Sequence, residues 1–386
     1  MQKLDYIVFL GRFQPFHKGH EQTLLQALEQ AHQVLVICGS ADKPRDIRNP
    51  WTVDERRHMI LSSLSEADRE RVHIYGVPDR VYNDQMWVAD VVSTTEEKIV
   101  SDYLDKIPES PNFKNQQAMI KAVRVRTLES IKNKEIKIGI IGHKKDHTSY
   151  YLDLFPNWKF IAQDGEYILN ATDIRNLYFE TGEIKNLWLP DGVAKYMEEF
   201  KVHEASHARA ETLEYTKLKT EYEFAQIYKD SWDCDAVRKY GGPILTTVDA
   251  VIACQGHVLL VKRRAQPGVG LWAFPGGYAR DTETLKTSMF RELREETKLK
   301  VPIPVLDGHI KEQRVFDDPE RSIRGRIITH AFFMELPPDR ETGKLPRVKG
   351  ADDAEKAQWI PIHEFLNMRD QMFEDHYAIG TYFLKG

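Results

Sequence analysis

A chain of 386 residues is too long for one ordinary hydrophobic core, so two domains are expected. With 41% hydrophobic and 29% charged residues the composition is that of a globular protein, which excludes general disorder. The net charge of −5 carries no basic excess to neutralise a phosphate backbone, so no nucleic-acid partner is expected, whereas small anionic ligands are compatible with it.

The three cysteines, Cys38, Cys234 and Cys254, lack CxxC spacing, which argues against a disulfide framework or a zinc site. No apolar run approaches the ~18 residues of a membrane span, and the chain opens on a strand-like run without a signal sequence. A cytoplasmic location with no membrane partner is the expectation.

In chain order, β-rich runs at 6–10, 34–38, 72–77 and 136–141 alternate with helical patterns. That alternation predicts βαβ units and a parallel sheet, here a doubly wound, Rossmann-like α/β domain over 1–200. Thr52 with Glu55 makes a capping box, and a further helix is predicted to begin near Thr172. The stretch 201–240 is charged, rich in Glu, Lys and Tyr, and poor in Gly and Ser until Gly241-Gly242-Pro243, so it reads as a partly helical linker. Beyond it, runs at 246–253 and 257–263 flank Gln255-Gly256 and predict a hairpin opening a β-rich second domain over 241–386. No internal repeat or low-complexity tract is evident.

The first strand is followed by Gly11-Arg12-Phe13-Gln14-Pro15-Phe16-His17-Lys18-Gly19-His20. In an open α/β sheet, ligands bind beyond the carboxyl ends of the strands, where this segment falls. His17 and His20, three apart at a predicted helix start, are placed to face a phosphate at the positive helix end. Histidines at this spacing also suit a metal, but the full run resembles the HxGH nucleotidyltransferases, which join a nucleoside triphosphate to a phosphorylated acceptor and release pyrophosphate. Asn170-Ala171-Thr172-Asp173-Ile174-Arg175 resembles their second motif, whose hydroxyl and arginine hold the triphosphate.

Within that superfamily, residues 1 to about 190 most resemble nicotinamide-mononucleotide adenylyltransferases of the archaeal type. The features are Arg48-Asn49-Pro50-Trp51-Thr52 with Glu55 and Arg56, and Pro78-Asp79 followed by Trp87. The resemblance implies substrate binding around Gly11, Arg12, Phe13 and Thr172, with Asp79 recognising nicotinamide and Trp87 stacking on it, since aromatic faces attract planar cations. Trp87 as core filler is equally open. In Gly142-His143-Lys144-Lys145-Asp146-His147, again after a strand, Lys144 would meet phosphates and Asp146 a base or sugar; a plain charged loop is the alternative. The implied chemistry is in-line attack by the mononucleotide phosphate on the α-phosphorus of ATP, with charge stabilised by His17, His20, Arg175 and Mg²⁺.

In the second half, Gly277, Glu283, Arg291, Glu292, Leu293, Glu295 and Glu296 stand at the spacings G-x5-E-x7-R-E-U-x-E-E, with U aliphatic. On a helix Glu292 lies beside Glu295 and Glu296, so three carboxylates converge and a hard cation such as Mg²⁺, with Mn²⁺ as an alternative, relieves their repulsion. The run resembles the Nudix hydrolase box. The resemblance implies that Glu292, Glu295 and Glu296 bind metal and include the base, which stays unassigned, with Arg291 orienting a carboxylate and Glu283 supporting it. Lys298 replaces one box glycine, from which a changed helix exit with an intact metal site is expected. The stretch Glu312-Gln313-Arg314-Val315-Phe316-Asp317, with Arg321, Arg324, Gly325 and Arg326, is similar to Nudix members that hydrolyse ADP-ribose and to ADP-ribose-sensing regulators. Phe316 would stack a base or ribose while Arg324 and Arg326 grip phosphate; solvated surface arginines are the alternative.

Together the halves resemble bacterial bifunctional proteins that make NAD from ATP and nicotinamide mononucleotide and remove ADP-ribose. One alternative is a transferase for another acceptor, such as phosphopantetheine, or another nucleotide, such as CTP. A second is a C-terminal half that senses ADP-ribose without hydrolysing it. No helix-turn-helix with a basic face follows the box, which disfavours a nucleic-acid regulator. The sequence leaves a homo-oligomer open.

Overall fold

In the computed structural model, residues 3–108, 113–143, 147–163, 169–206, 213–231, 243–339, 342–351 and 354–385 are described. The chain divides into two compact units, Met1–Ala41 with Asn49–Tyr215, and Asp42–Arg48 with Thr216–Gly386.

The first unit is built on five parallel strands, β1 (Leu4–Gly11), β2 (Ala31–Ala41), β3 (Val72–Pro78), β4 (Ile138–Gly142) and β5 (Lys159–Ala162), in the order β3-β2-β1-β4-β5. Helices cover the sheet faces, so the central strands are apolar on both sides: Ile7, Val8, Val34, Leu35, Val36 and Ile140 are fully buried. The chain order reverses between β1 and β4, which sets a switch point where the carboxyl ends of these two strands lie side by side. The connecting helices are α1 (Lys18–Gln30), α2 (Val53–Ser62), α3 (Glu66–Arg69), α4 (Asp84–Leu104), α5 (Phe113–Lys132), α6 (Ala171–Thr181) and α7 (Asp191–Ser206). The capping box read at Thr52 is present, with the Glu55 amide donating to the Thr52 hydroxyl (3.3 Å) and the Thr52 amide to the Glu55 carboxylate (2.7 Å). The helix α8 (Leu213–Asp230) follows, so the stretch 201–240 includes the end of one helix and the whole of another.

The second unit holds a mixed seven-stranded sheet of β6 (Leu245–Cys254), β7 (His257–Arg263), β8 (Trp272–Ala273), β9 (Gly276–Tyr278), β10 (Ile310–Phe316), β11 (Ile327–Glu335) and β12 (Ala354–Pro361). The predicted hairpin is β6–β7: Gln255 and Gly256 both take positive φ (46° and 72°), as a tight two-residue turn between twisted strands demands. Helix α9 (Leu285–Thr297) packs Met289, Phe290 and Leu293 against Val248, Ala250 and Ile252 of β6. The remaining helices are α10 (Ile303–Gly308), α11 (Ile362–Phe365) and α12 (His376–Leu384). Among the described residues no helix is long and apolar enough to cross a membrane.

Candidate active sites

At the switch point of the first unit the loop leaving β1 is fixed from several sides. Phe13 takes positive φ (51°), and its ring occupies the place a side chain on Gly11 would need: a Cβ there would lie 2.7 Å from the ring. Gly11 therefore makes room for the chain's own Phe13 rather than opening a direct path to a ligand. Gln14 is buried and pairs reciprocally with the Trp51 backbone, donating to its carbonyl (2.8 Å) and accepting from its amide (3.1 Å). Arg56, 1% exposed, donates to the carbonyls of Arg12 and Gly39 at 2.7 Å each, tying the ends of β1 and β2 together. Its guanidinium is held below its ordinary range by burial.

His17 is the N-cap of α1. Its Nδ1 accepts from the His20 amide (3.4 Å), the His20 Nδ1 accepts from the His17 amide (3.3 Å), and the rings stack with centroids 3.6 Å apart. With Nδ1 accepting, each neutral ring carries its proton on Nε2, and that N–H is the donor an anion at the positive helix end requires. Helix α6 starts where the second motif was read, with Asn170 as N-cap. Arg175 donates to the Thr172 hydroxyl (3.2 Å) and to the Gln14 carbonyl, so this arginine clamps the two motifs to each other. Asp79, just beyond β3, accepts from the amide (3.0 Å) and hydroxyl (2.9 Å) of Ser40, a residue held at positive φ. Trp87 is partly buried and meets the rings of Tyr151 and Phe155 edge-on, at the border of the core. Gly142 ends β4; Lys144 and Asp146 lie outside the described residues.

In the second unit Arg291 gathers the box. Its guanidinium donates to Glu283 (3.0 Å), Glu292 (2.6 Å), Glu295 (3.1 Å) and the Tyr278 carbonyl (3.2 Å). Glu296 is turned onto the Gly276 amide (3.0 Å). Burial pushes its carboxyl up to about 8 against that hydrogen bond, and burial likewise raises Glu292. A Cβ on Gly277 would lie 2.7 Å from the Glu292 carboxyl carbon, so only glycine admits this carboxylate against the strand. Among the described residues no three acidic, cysteine or histidine side chains form a preassembled ligand set. The donors nevertheless are carboxylate oxygens clustered about one turn, the chemistry that suits a hard divalent cation.

Lys298 adopts the left-handed conformation (φ 51°, ψ 25°) that the missing glycine would supply. The expected change of helix exit is thus corrected: the exit keeps its left-handed form and the lysine accommodates it. Phe316 is a second correction. It is 1% exposed and packs edge-on against Tyr382 and Phe383 of α12, so it is core and stacks no ligand. Arg326 donates to the Asp317 carbonyl and does not line the pocket, whereas Arg324 does.

The pocket beside Glu296 joins Arg324, a residue read from the sequence, to others that were not, among them Arg263, Phe373, Glu374 and His376. Arg324 donates to Glu374 (3.2 Å) and to the Tyr278 hydroxyl (3.1 Å), and Arg263 stacks over Phe373 at 4.0 Å. Arg321, read only as one member of an arginine-rich stretch, forms a buried two-point pair with Asp375 (2.7 and 3.0 Å). Behind these, Asp249 accepts from the Thr329 hydroxyl (2.5 Å) and lies 4.0 Å from the His376 Nε2. The His376 Nδ1 accepts from the Phe274 amide (3.0 Å), and burial holds this imidazole well below its ordinary value, hence neutral. Asp249 had a legible signal, a carboxylate inside the apolar run Val248 to Ile252.

The two sites define a nucleotidyltransferase fold joined to a Nudix fold. Residues 8–175 match the cytidylyltransferase-like family and residues 244–382 the NUDIX domain family. The nicotinamide/nicotinic acid mononucleotide adenylyltransferase of Acinetobacter baylyi is 36% identical over 202 residues, 52% of this chain and 89% of that protein. The ADP-ribose pyrophosphatase of Methanocaldococcus jannaschii is 31% identical over 150 residues, 39% of this chain and 79% of that protein. The chain belongs to the nicotinamide-mononucleotide adenylyltransferase family through its first half and to the Nudix family through its second. The same pairing occurs in a bifunctional NMN adenylyltransferase/ADP-ribose pyrophosphatase from Francisella tularensis, solved with AMP and a manganese ion, which aligns over 99% of both chains at 29% identity and a TM-score of 0.79.

Proposed function

We propose that the protein is a bifunctional enzyme of NAD metabolism. The first unit transfers AMP from ATP to nicotinamide mononucleotide, giving NAD and pyrophosphate; the second hydrolyses ADP-ribose to AMP and ribose 5-phosphate. The observation that carries this reading is that both motif sets lie on one chain, which aligns over 99% of its length with the bifunctional Francisella protein. A cytoplasmic setting fits these substrates.

In the transferase reading, an oxygen of the mononucleotide phosphate attacks the α-phosphorus of ATP and pyrophosphate leaves from the opposite side. His17 and His20 donate from the N-terminus of α1 to the phosphoryl oxygens, where charge accumulates. Arg56, Gln14 and Arg175 hold the β1–α1 loop so that these donors need no rearrangement at the moment of transfer. Asp79, with Ser40, and Trp87 are the candidates for the nicotinamide end.

In the hydrolase reading, water attacks a phosphorus of the ADP-ribose diphosphate. Glu292, Glu295 and Glu296 would hold a divalent cation, Mg²⁺ as the proposed ion with Mn²⁺ the alternative. When bound, the cation lowers the pKa of water and neutralises phosphoryl charge. Arg291 keeps Glu283, Glu292 and Glu295 in register, and Arg324, which lines the same pocket as Glu296, is the guanidinium available to the diphosphate.

The test is product analysis of the purified protein with Mg²⁺. ATP plus nicotinamide mononucleotide should yield NAD, and ADP-ribose should yield AMP and ribose 5-phosphate. Absence of either product set removes that half of the proposal.

A further inference from the structure

The Nudix match begins at residue 244, yet the second unit already includes the chain from Thr216, most of helix α8. Glu221 and Tyr228 lie seven residues apart, about two helical turns, and so share one face of α8. The hydroxyl of Tyr228 is 2.8 Å from that of Tyr278. The Tyr278 hydroxyl also accepts from Arg324 (3.1 Å), while the Tyr278 carbonyl accepts from Arg291 (3.2 Å). One residue of β9 therefore touches both the arginine that gathers the box glutamates and an arginine that lines the pocket. Burial raises the Tyr278 phenol above its ordinary value, so it stays neutral and keeps its proton for hydrogen bonding. On the same helix face, burial pushes the carboxyl of Glu221 up to about 8, with the charges of Asp46 and Glu374 adding to the rise and that of Arg263 opposing it; Glu374 and Arg263 line that pocket.

We infer that helix α8 is part of the hydrolase site, with Tyr228 a positioning residue that holds the Tyr278 phenol and, through it, the Arg324 guanidinium toward a nucleoside-diphosphate sugar. The inference rests on the hydrolase reading of this pocket. A helix that merely joined two domains would require no side chain at 228 able to hydrogen-bond. A positioning helix requires the phenol, because an arginine whose partner can rotate loses the orientation that makes its donors useful.

The experiment is Tyr228→Phe in the full chain, assayed with ADP-ribose and Mg²⁺ beside the wild type, Tyr278→Phe and the double variant. Loss of one hydroxyl–hydroxyl contact should raise the KM for ADP-ribose roughly three- to tenfold, with kcat within about twofold. Adding Tyr228→Phe to Tyr278→Phe should change nothing further, because the partner hydroxyl is already gone. NAD synthesis should be unaffected. A wild type that fails to turn over ADP-ribose defeats the hydrolase reading itself. An active wild type with an unchanged KM in Tyr228→Phe overturns the role of Tyr228 alone, as does an effect of equal size in both Tyr278 backgrounds.

Discussion

Replacing Lys298 by glycine should stabilise the second unit and leave its chemistry unchanged. Lys298 is exposed, closes α9 at φ 51° and ψ 25°, and donates its amide to the Arg294 carbonyl at 3.1 Å, a bond that glycine retains. The left-handed conformation costs a residue with a Cβ about 1–2 kcal/mol. Glycine offsets part of that gain, about 0.4–1 kcal/mol, through the greater freedom of its unfolded chain. The net stabilisation is therefore about 0.5–1 kcal/mol, or roughly 1–4 °C in the melting temperature of a unit this size. Calorimetry of the full-length variant reads the shift, and ADP-ribose turnover read in parallel should match wild type. A lower melting temperature, or turnover altered tenfold, would refute the argument by showing that the lysine side chain takes part in the fold or the site.

Phe316→Ala should cost about 3–5 kcal/mol of stability, the usual penalty for emptying an aromatic core position, with a near wild-type KM for ADP-ribose in the folded fraction. A selective rise in KM with stability intact would restore its stacking role. Gly11→Ala should displace Phe13 and lower NAD synthesis by about tenfold or more while hydrolysis persists; equal NAD synthesis in the variant would show that the loop absorbs the methyl. Asp249 is raised by burial to about 6, above its unfolded value near 3.8. Its contribution to stability is thus present below about pH 4 and is lost as pH rises through about 6. Asp249→Asn removes that loss, so its stability relative to wild type should climb between pH 4 and 6, on the order of 2–3 kcal/mol, and level off above. Denaturant titrations across this range check it, and a flat difference would mean that Asp249 is ionised throughout.

Much of this was legible because the informative signals are local. The runs that became β1, β2 and β4 are buried on both faces and so read as continuous apolar stretches, the edge strand β3 alternates buried and part-exposed positions, and Gln255-Gly256 marks a turn through its backbone demand alone. The box glutamates are fixed by helical spacing, which is why Arg291 finds Glu292 and Glu295. Strand β5, Lys159–Ala162, escaped because four residues with one buried position carry no periodicity. Phe316 misled for a different reason: what covers it is α12, contributed by sequence some sixty residues later, and an aromatic among arginines looks alike whether it faces a ligand or a core. The pocket residues Phe373, Glu374 and His376 come from that same distant segment, so only the folded chain brings them to Glu296.

The most direct test of two separate chemistries on one chain is a crossed assay of His20→Ala and Glu296→Gln, each measured for NAD synthesis and for ADP-ribose hydrolysis. His20→Ala should lose NAD synthesis by about a hundredfold or more and keep hydrolysis, and Glu296→Gln should show the reverse. Loss of both activities in either folded variant, or of neither, would contradict the account.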